Sequence, residues 1–152
     1  MRTRGLKATL LLKCTQDVKS RFDKIKAVLG DIRVSLLEES KSSAGDKHET
    51  GRAMLQIERE NAGYQLREIE SLQSLIRKID IDAVSDYVRL GSLVYTSQKA
   101  YFIGISIGEV EVETEKYYCI ALHSPIGKRL AGKKALEGFI FNEMEHKVLK
   151  IV

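Results

Sequence analysis

From Leu11 the apolar residues recur at Cys14, Val18, Phe22, Ile25, Leu29, Ile32 and Leu36, always three or four positions apart. That spacing keeps one face of a helix apolar, and sustained over this many turns it makes a coiled-coil seam. Gly30 lies inside the run and costs about 1 kcal/mol of helix propensity relative to alanine. The phase continues through it, so a single helix is expected over residues 6–40. Ser40, Ser42, Ser43 and Gly45, all poor helix formers, then end it. A second helix is expected from Asp46, which with Glu49 three positions later has the form of an N-cap followed by an acidic third residue. Behind it Leu55, Ala62, Ile69 and Ile76 recur every seventh position, joined by Leu66, Leu72 and Ile79. Counting outward from Gly45 sets Leu36 beside Leu55, Leu29 beside Ala62 and Phe22 beside Ile69, so the pattern predicts an antiparallel helical hairpin. With about 30 residues per helix at 1.5 Å each, the hairpin would be about 45 Å long.

After Asp80 the period changes. Residues 81–86 read as a linker, and short β-rich runs follow at 92–96, 100–107, 110–112, 116–122, 138–142 and 146–152. Between the fourth and fifth runs, Ser124 and Pro125 open a helix of about two turns that closes at Gly132, the residue types that start and stop a helix. The expected fold class is therefore α+β: a coiled-coil hairpin over residues 1–80 with an acidic tip at 41–50, then a domain over 81–152 built as a small antiparallel sheet on one short helix.

Charge changes this picture in one place. The net charge is +4, and residues 1–80 hold 16 Lys and Arg against 12 Asp and Glu, whereas residues 81–152 hold nine of each sign. The excess gathers in residues 1–30, where eight basic residues face only Asp17 and Asp23. Such a stretch suits an acidic partner, protein or nucleic acid, as well as it suits a solvated helix face. The apolar run behind the basic start, Leu10 to Leu12, is too short for a secretion signal or a membrane span. Cys14 and Cys119 stand far apart, each within an apolar pattern, and have no partner at metal-ligand spacing. They read as reduced core thiols, and a cytoplasmic, monomeric protein without a membrane partner is expected.

Candidate chemistry is sparse. No glycine-rich phosphate loop follows a strand, and no nucleophile elbow occurs, which argues against a self-contained hydrolase. His48 has no Cys or His at ligand spacing. Tyr101, Phe102, Tyr117 and Tyr118 fit cross-strand packing better than a base-stacking platform. Asp46 and Glu49 stand out because they share one side of a helix start at the tip of a hairpin.

Two motifs in this order resemble the bacterial Gre transcript-cleavage factor family. Gly45-Asp46-x-x-Glu49 is similar to the turn at the tip of that family's N-terminal coiled coil. Ser124-Pro125-Ile126-Gly127-Lys128, continuing through Leu130 to Gly132-Lys133, is similar to a segment of its FKBP-like C-terminal domain. The resemblance covers nearly the whole chain. It implies an FKBP-like second domain and a factor that enters the secondary channel of RNA polymerase and docks through Ser124, Pro125, Ile126, Gly127, Lys128 and Gly132. Asp46 and Glu49 would share a Mg²⁺ with the polymerase active site and promote cleavage of backtracked RNA at the nascent 3′ end. Such a factor is not itself an enzyme, since it stimulates the hydrolytic activity of the polymerase. Two carboxylates supply too few of the six oxygen ligands that Mg²⁺ takes, so the rest must come from polymerase, RNA and water. The same resemblance leaves open a polymerase-binding regulator or inhibitor without cleavage, and the residues alone also fit a general protein-interaction module.

Overall fold

The structure is a computed structural model that describes residues 2–41 and 45–152, with residues 41 and 45–48 described by their backbone alone. Helix α1 spans Thr3–Lys41 and helix α2 spans Gly45–Arg77. Six strands follow, β1 Leu93–Thr96, β2 Ala100–Gly104, β3 Gly108–Val112, β4 Glu115–Ala121, β5 Gly138–Phe141 and β6 Met144–Ile151, with helix α3 at Pro125–Leu130. The class is α+β, as the change of period indicates. The chain packs as two compact units: residues through Asp17 together with Ser74–Val152, and Val18–Gln73.

In the unit Val18–Gln73, the buried residues are Val18, Ile25 and Ile32 on α1 and Ala62 and Ile69 on α2, each set seven residues apart. The helices run antiparallel. Arg52 of α2 donates to the Ser40 hydroxyl, Gly51 lies against the Glu39 carboxylate, and Ile25 and Val28 line one groove with Gln65 and Ile69. This is the register that counting outward from Gly45 gives. Phe22, Leu29, Leu36, Leu55 and Leu66 are half-buried, because two helices alone can cover only one narrow stripe of each other. Gly30 costs α1 nothing in packing, since no atom lies within 4 Å of the space where its Cβ would stand.

In the other unit the sheet runs in the order β3-β4-β2-β1-β6-β5. It is mixed rather than antiparallel. β2 and β4 are parallel neighbours, Tyr101 opposite Tyr118 and Ile103 opposite Ile120, while every other pairing is antiparallel. The reason lies at 105–108: the expected strand 100–107 stops at Gly104, Gly108 takes a positive φ of 82°, and β3 becomes an outer strand. β4 then returns between β3 and β2, in the direction of β2. The β3–β4 and β5–β6 hairpins turn through two residues of positive φ each, Glu113-Thr114 and Asn142-Glu143, the left-handed pair whose twist suits adjacent strands. The core gathers Val88, Val94, Tyr101, Ile103, Leu130, Phe139 and Val148. Leu6, Leu10 and Cys14 of α1 are buried in this same unit, so the first turns of the long helix pack with the sheet.

Two glycines should respond to alanine in opposite directions. At Gly127 a Cβ would lie 2.1 Å from the Ala121 carbonyl oxygen and 2.8 Å from that of Leu122, both rigid backbone. Gly127→Ala is expected to destabilise by about 3 kcal/mol, while Gly30→Ala should stabilise by about 0.5–1 kcal/mol. Denaturant melts of the two variants check this; equal effects would contradict the packing described for α3.

Candidate functional site

The Gly45-Asp46-x-x-Glu49 motif opens α2. The helix begins at Gly45, one residue ahead of the start expected at Asp46, so Asp46 is its second residue rather than its N-cap, and Glu49 is its fifth, just past the first turn. Glu49 is exposed, and the Asp46 side chain lies outside the described residues, as do those of Lys47 and His48. Carboxylates in a first helical turn are favoured by the unpaired N–H groups there. Among the described residues no group of three or more His, Cys, Asp or Glu is gathered to hold a metal ion.

The second motif is placed in detail. Ser124 is the N-cap of α3: its hydroxyl accepts from the Gly127 N–H at 3.1 Å and donates to the Ala121 carbonyl at 2.6 Å. Pro125 takes the first helical position, where a missing N–H costs nothing. Gly127 is buried against the end of β4 because only a hydrogen fits beneath the carbonyls of Ala121 and Leu122. Leu130 anchors the helix in the core. Gly132 has a φ of 77°, and its N–H reaches the Val88 carbonyl at 2.8 Å. Ser124, Pro125, Gly127 and Gly132 thus each have a local physical task. Ile126 is half-buried against the core, and Lys128 is exposed on the outer side.

Beside α3 the surface is aromatic and cationic. Phe139 stacks on His146 at 5.0 Å between ring centroids, and Phe141 meets the same imidazole edge-on at 6.1 Å. Arg129 and Lys133 stand over the Phe139 ring at 5.9 and 5.7 Å, and Arg129 also donates to the Ile140 carbonyl at 3.0 Å. His146 is buried and its Nδ1 has no hydrogen-bond partner. His123 is exposed, whereas Tyr101, Phe102 and Tyr117 are buried, as cross-strand packing requires. Tyr118 is half-buried; its hydroxyl donates to the Glu109 carboxylate at 3.0 Å, and Lys99 caps its ring at 4.4 Å.

Three groups were not legible as neighbours. Arg4 of α1 and Asp82 of the expected linker form an exposed ion pair at 2.5 Å, which raises the pKa of the arginine and lowers that of the carboxylate. Cys14 and Cys119, 105 positions apart, are both fully buried free thiols; the influence of Cys14, together with burial, pushes the Cys119 pKa far up. Lys7 is only 3% exposed, and its ammonium donates to the Val152 carbonyl oxygen at 3.3 Å. Lys7 stands four residues before Leu11 and seven before Cys14, on the line of the apolar seam, so its spacing places it on the buried face, while its partner lies too far along the chain to be read from the period. No helix among the described residues is long and apolar enough to cross a membrane.

Set against known proteins, the chain is matched by no family model, no curated protein and no solved structure.

Burial, then the nearby Arg89 charge, holds the Lys7 pKa below its ordinary value. In the window between that lowered value and the usual value near ~10.4, the unfolded chain binds more protons, so this group makes stability rise with pH there. Lys7→Met keeps the stem and removes the buried charge, and is expected to stabilise by about 1 kcal/mol at neutral pH. The gain should shrink as pH rises through that alkaline window. Thermal melts of both proteins across pH test it; a gain that grows with pH would contradict the assignment.

Proposed function

We propose that the chain is a Gre-like transcription elongation factor that binds RNA polymerase through its secondary channel and stimulates cleavage of backtracked RNA, with the second unit an FKBP-like docking domain. The observation that carries this reading is the position of Gly45-Asp46-x-x-Glu49: it opens α2, at the junction of two antiparallel helices of 39 and 33 residues. A long, narrow helix pair offers carboxylates at its end to a site that a globular surface cannot enter. The Ser124–Gly132 segment supports the reading from the other unit, since its cap, glycine packing and left-handed closure leave Lys128 outward on a preformed helix.

In this mechanism Asp46 and Glu49 would each offer a carboxylate oxygen to a Mg²⁺, and polymerase, RNA and water would have to provide the rest of its six oxygen ligands. Such an ion would supply a polarised water and charge stabilisation for a departing 3′ oxygen. What the chain's own residues do is positional: the seam sets the register in which α2 starts, and the helix holds the two carboxylate residues three positions apart on one side.

A second reading, a polymerase-binding regulator or inhibitor that does not promote cleavage, draws on Thr50-Gly51-Arg52-Ala53. These residues follow Glu49 where the resembled family usually has Asn-Ala-Glu-Tyr. The third reading, a general interaction module, has no specific observation in its favour.

A stalled elongation complex separates them. Addition of the protein should release short 3′ RNA fragments in a Mg²⁺-dependent way. Asp46→Ala and Glu49→Ala should each lower that rate at least tenfold while leaving polymerase retention unchanged. Retention without cleavage favours the regulator; loss of retention by the wild type removes both polymerase readings.

A further inference from the structure

The unit Val18–Gln73 has two flanking grooves of opposite charge. One, of about 400 Å³, is lined by Leu29, Arg33, Leu36, Leu37, Ser40, Arg52 and Arg59, with no carboxylate among the described residues that line it. The other carries Glu38, Glu39 and Glu58 beside Ser35, Gly51, Met54 and Leu55. Helix pairs usually intersperse the two signs so that neighbours attract. Here three arginines line one groove. Among the described residues Arg33 and Arg59 have no ion-pair partner, and Arg52 is bonded only to the Ser40 hydroxyl.

The antiparallel register gives the groove two polar ends. Arg33 faces Arg59 at one level, and Ser40 faces Arg52 one heptad further on, about 10 Å along the axis at 1.5 Å per residue. Leu36 and Leu37 lie between these two levels and Leu29 one turn beyond Arg33, and together they form the apolar floor. Two opposed guanidinium forks match the oxygens of a polyphosphate. The apolar floor suits a flat, weakly polar body, and the Arg52–Ser40 pair offers donors to acceptors on its far edge. The adjoining groove shares Arg59 but contains Glu60, and the Tyr64 ring there is already covered by the Arg67 guanidinium at 4.5 Å. A ligand held at Arg59 is therefore favoured on the leucine side.

We propose that this groove is a binding site for a free nucleoside triphosphate, with the phosphates between Arg33 and Arg59 and the base over the leucine floor toward Arg52 and Ser40. The site is independent of any polymerase partnership, because every residue of it belongs to one helix pair. Its volume lies within the range of small-ligand pockets, and the exposed arginines make the affinity fall with salt.

Isothermal titration of the full chain with ATP, GTP and inorganic tripolyphosphate tests it. Both nucleotides should bind at least tenfold more tightly than tripolyphosphate. R33E/R59E should weaken nucleotide binding at least tenfold, Leu36→Asn should bring nucleotide affinity down toward that of tripolyphosphate, and R21E, in a different groove, should change nothing. Circular dichroism establishes that each variant keeps its helix content. No nucleotide binding at millimolar concentration, equal affinity for tripolyphosphate, or full binding by folded R33E/R59E would each overturn the site. So would a short single-stranded RNA that binds at least tenfold more tightly than the nucleotides and displaces them, since the groove would then be a track for a longer polyanion.

Discussion

The helix pair depends on one narrow contact, the seam of Val18, Ile25 and Ile32 on α1 with Ala62 and Ile69 on α2. Two helices without a third layer can bury only that stripe, and each fully buried aliphatic side chain contributes about 1.5–3 kcal/mol. Register is the consequence that matters for function. Because the buried positions repeat every seven residues, a slip would have to move a whole heptad to find apolar partners again. The seam therefore fixes which residues stand beside each other along the pair: Glu39 by Gly51, Ser40 by Arg52, and the arginines on one flank with the glutamates on the other.

The sheet unit is organised by a different kind of constraint, a backbone corner. β4 ends at Ala121, the chain turns through Ser124, and α3 starts so close to the strand that no side chain fits at Gly127. Capping by Ser124 and closure by Gly132 hold the short helix at both ends, and Leu130 ties it to the core. A helix this short has little stability of its own. Its shape is set by the strand and by the core beneath it, which is why the segment carries so many residues with a single task each.

Much of the fold was legible because it is written in local periods. The three- and four-residue steps from Leu11 gave the first helix to within a few residues, the heptads from Leu55 gave the second, and Ser-Pro with a later glycine gave α3. The parallel pairing of β2 with β4 was not legible, since strand order depends on how the chain returns at Gly108 and not on the pattern within a strand. The spacing of Lys7, four residues before Leu11 and seven before Cys14, already places it on the apolar face, but its contact with Val152 and the meeting of Cys14 with Cys119 were not legible, because both depend on α1 packing against residues more than a hundred positions away. The arginine groove was invisible for a related reason. Arg33, Arg52 and Arg59 look like ordinary surface charges until the register brings two helices together. Of the tip motif, the sequence supplies the two carboxylates, and the structure adds their place as the second and fifth residues of α2 and the exposure of Glu49.

We propose that the start of α2, from Asp46 to Glu49, reaches into the catalytic centre of RNA polymerase. Site-specific photo-crosslinking from position 49 tests it most directly, with a benzoylphenylalanine in place of Glu49 in an otherwise unaltered chain and a stalled elongation complex as target. The account predicts crosslinks to the polymerase segments that surround the catalytic Mg²⁺ and to the RNA 3′ end. Crosslinks confined to the outer surface of the enzyme, or none at all with a folded protein, would contradict it.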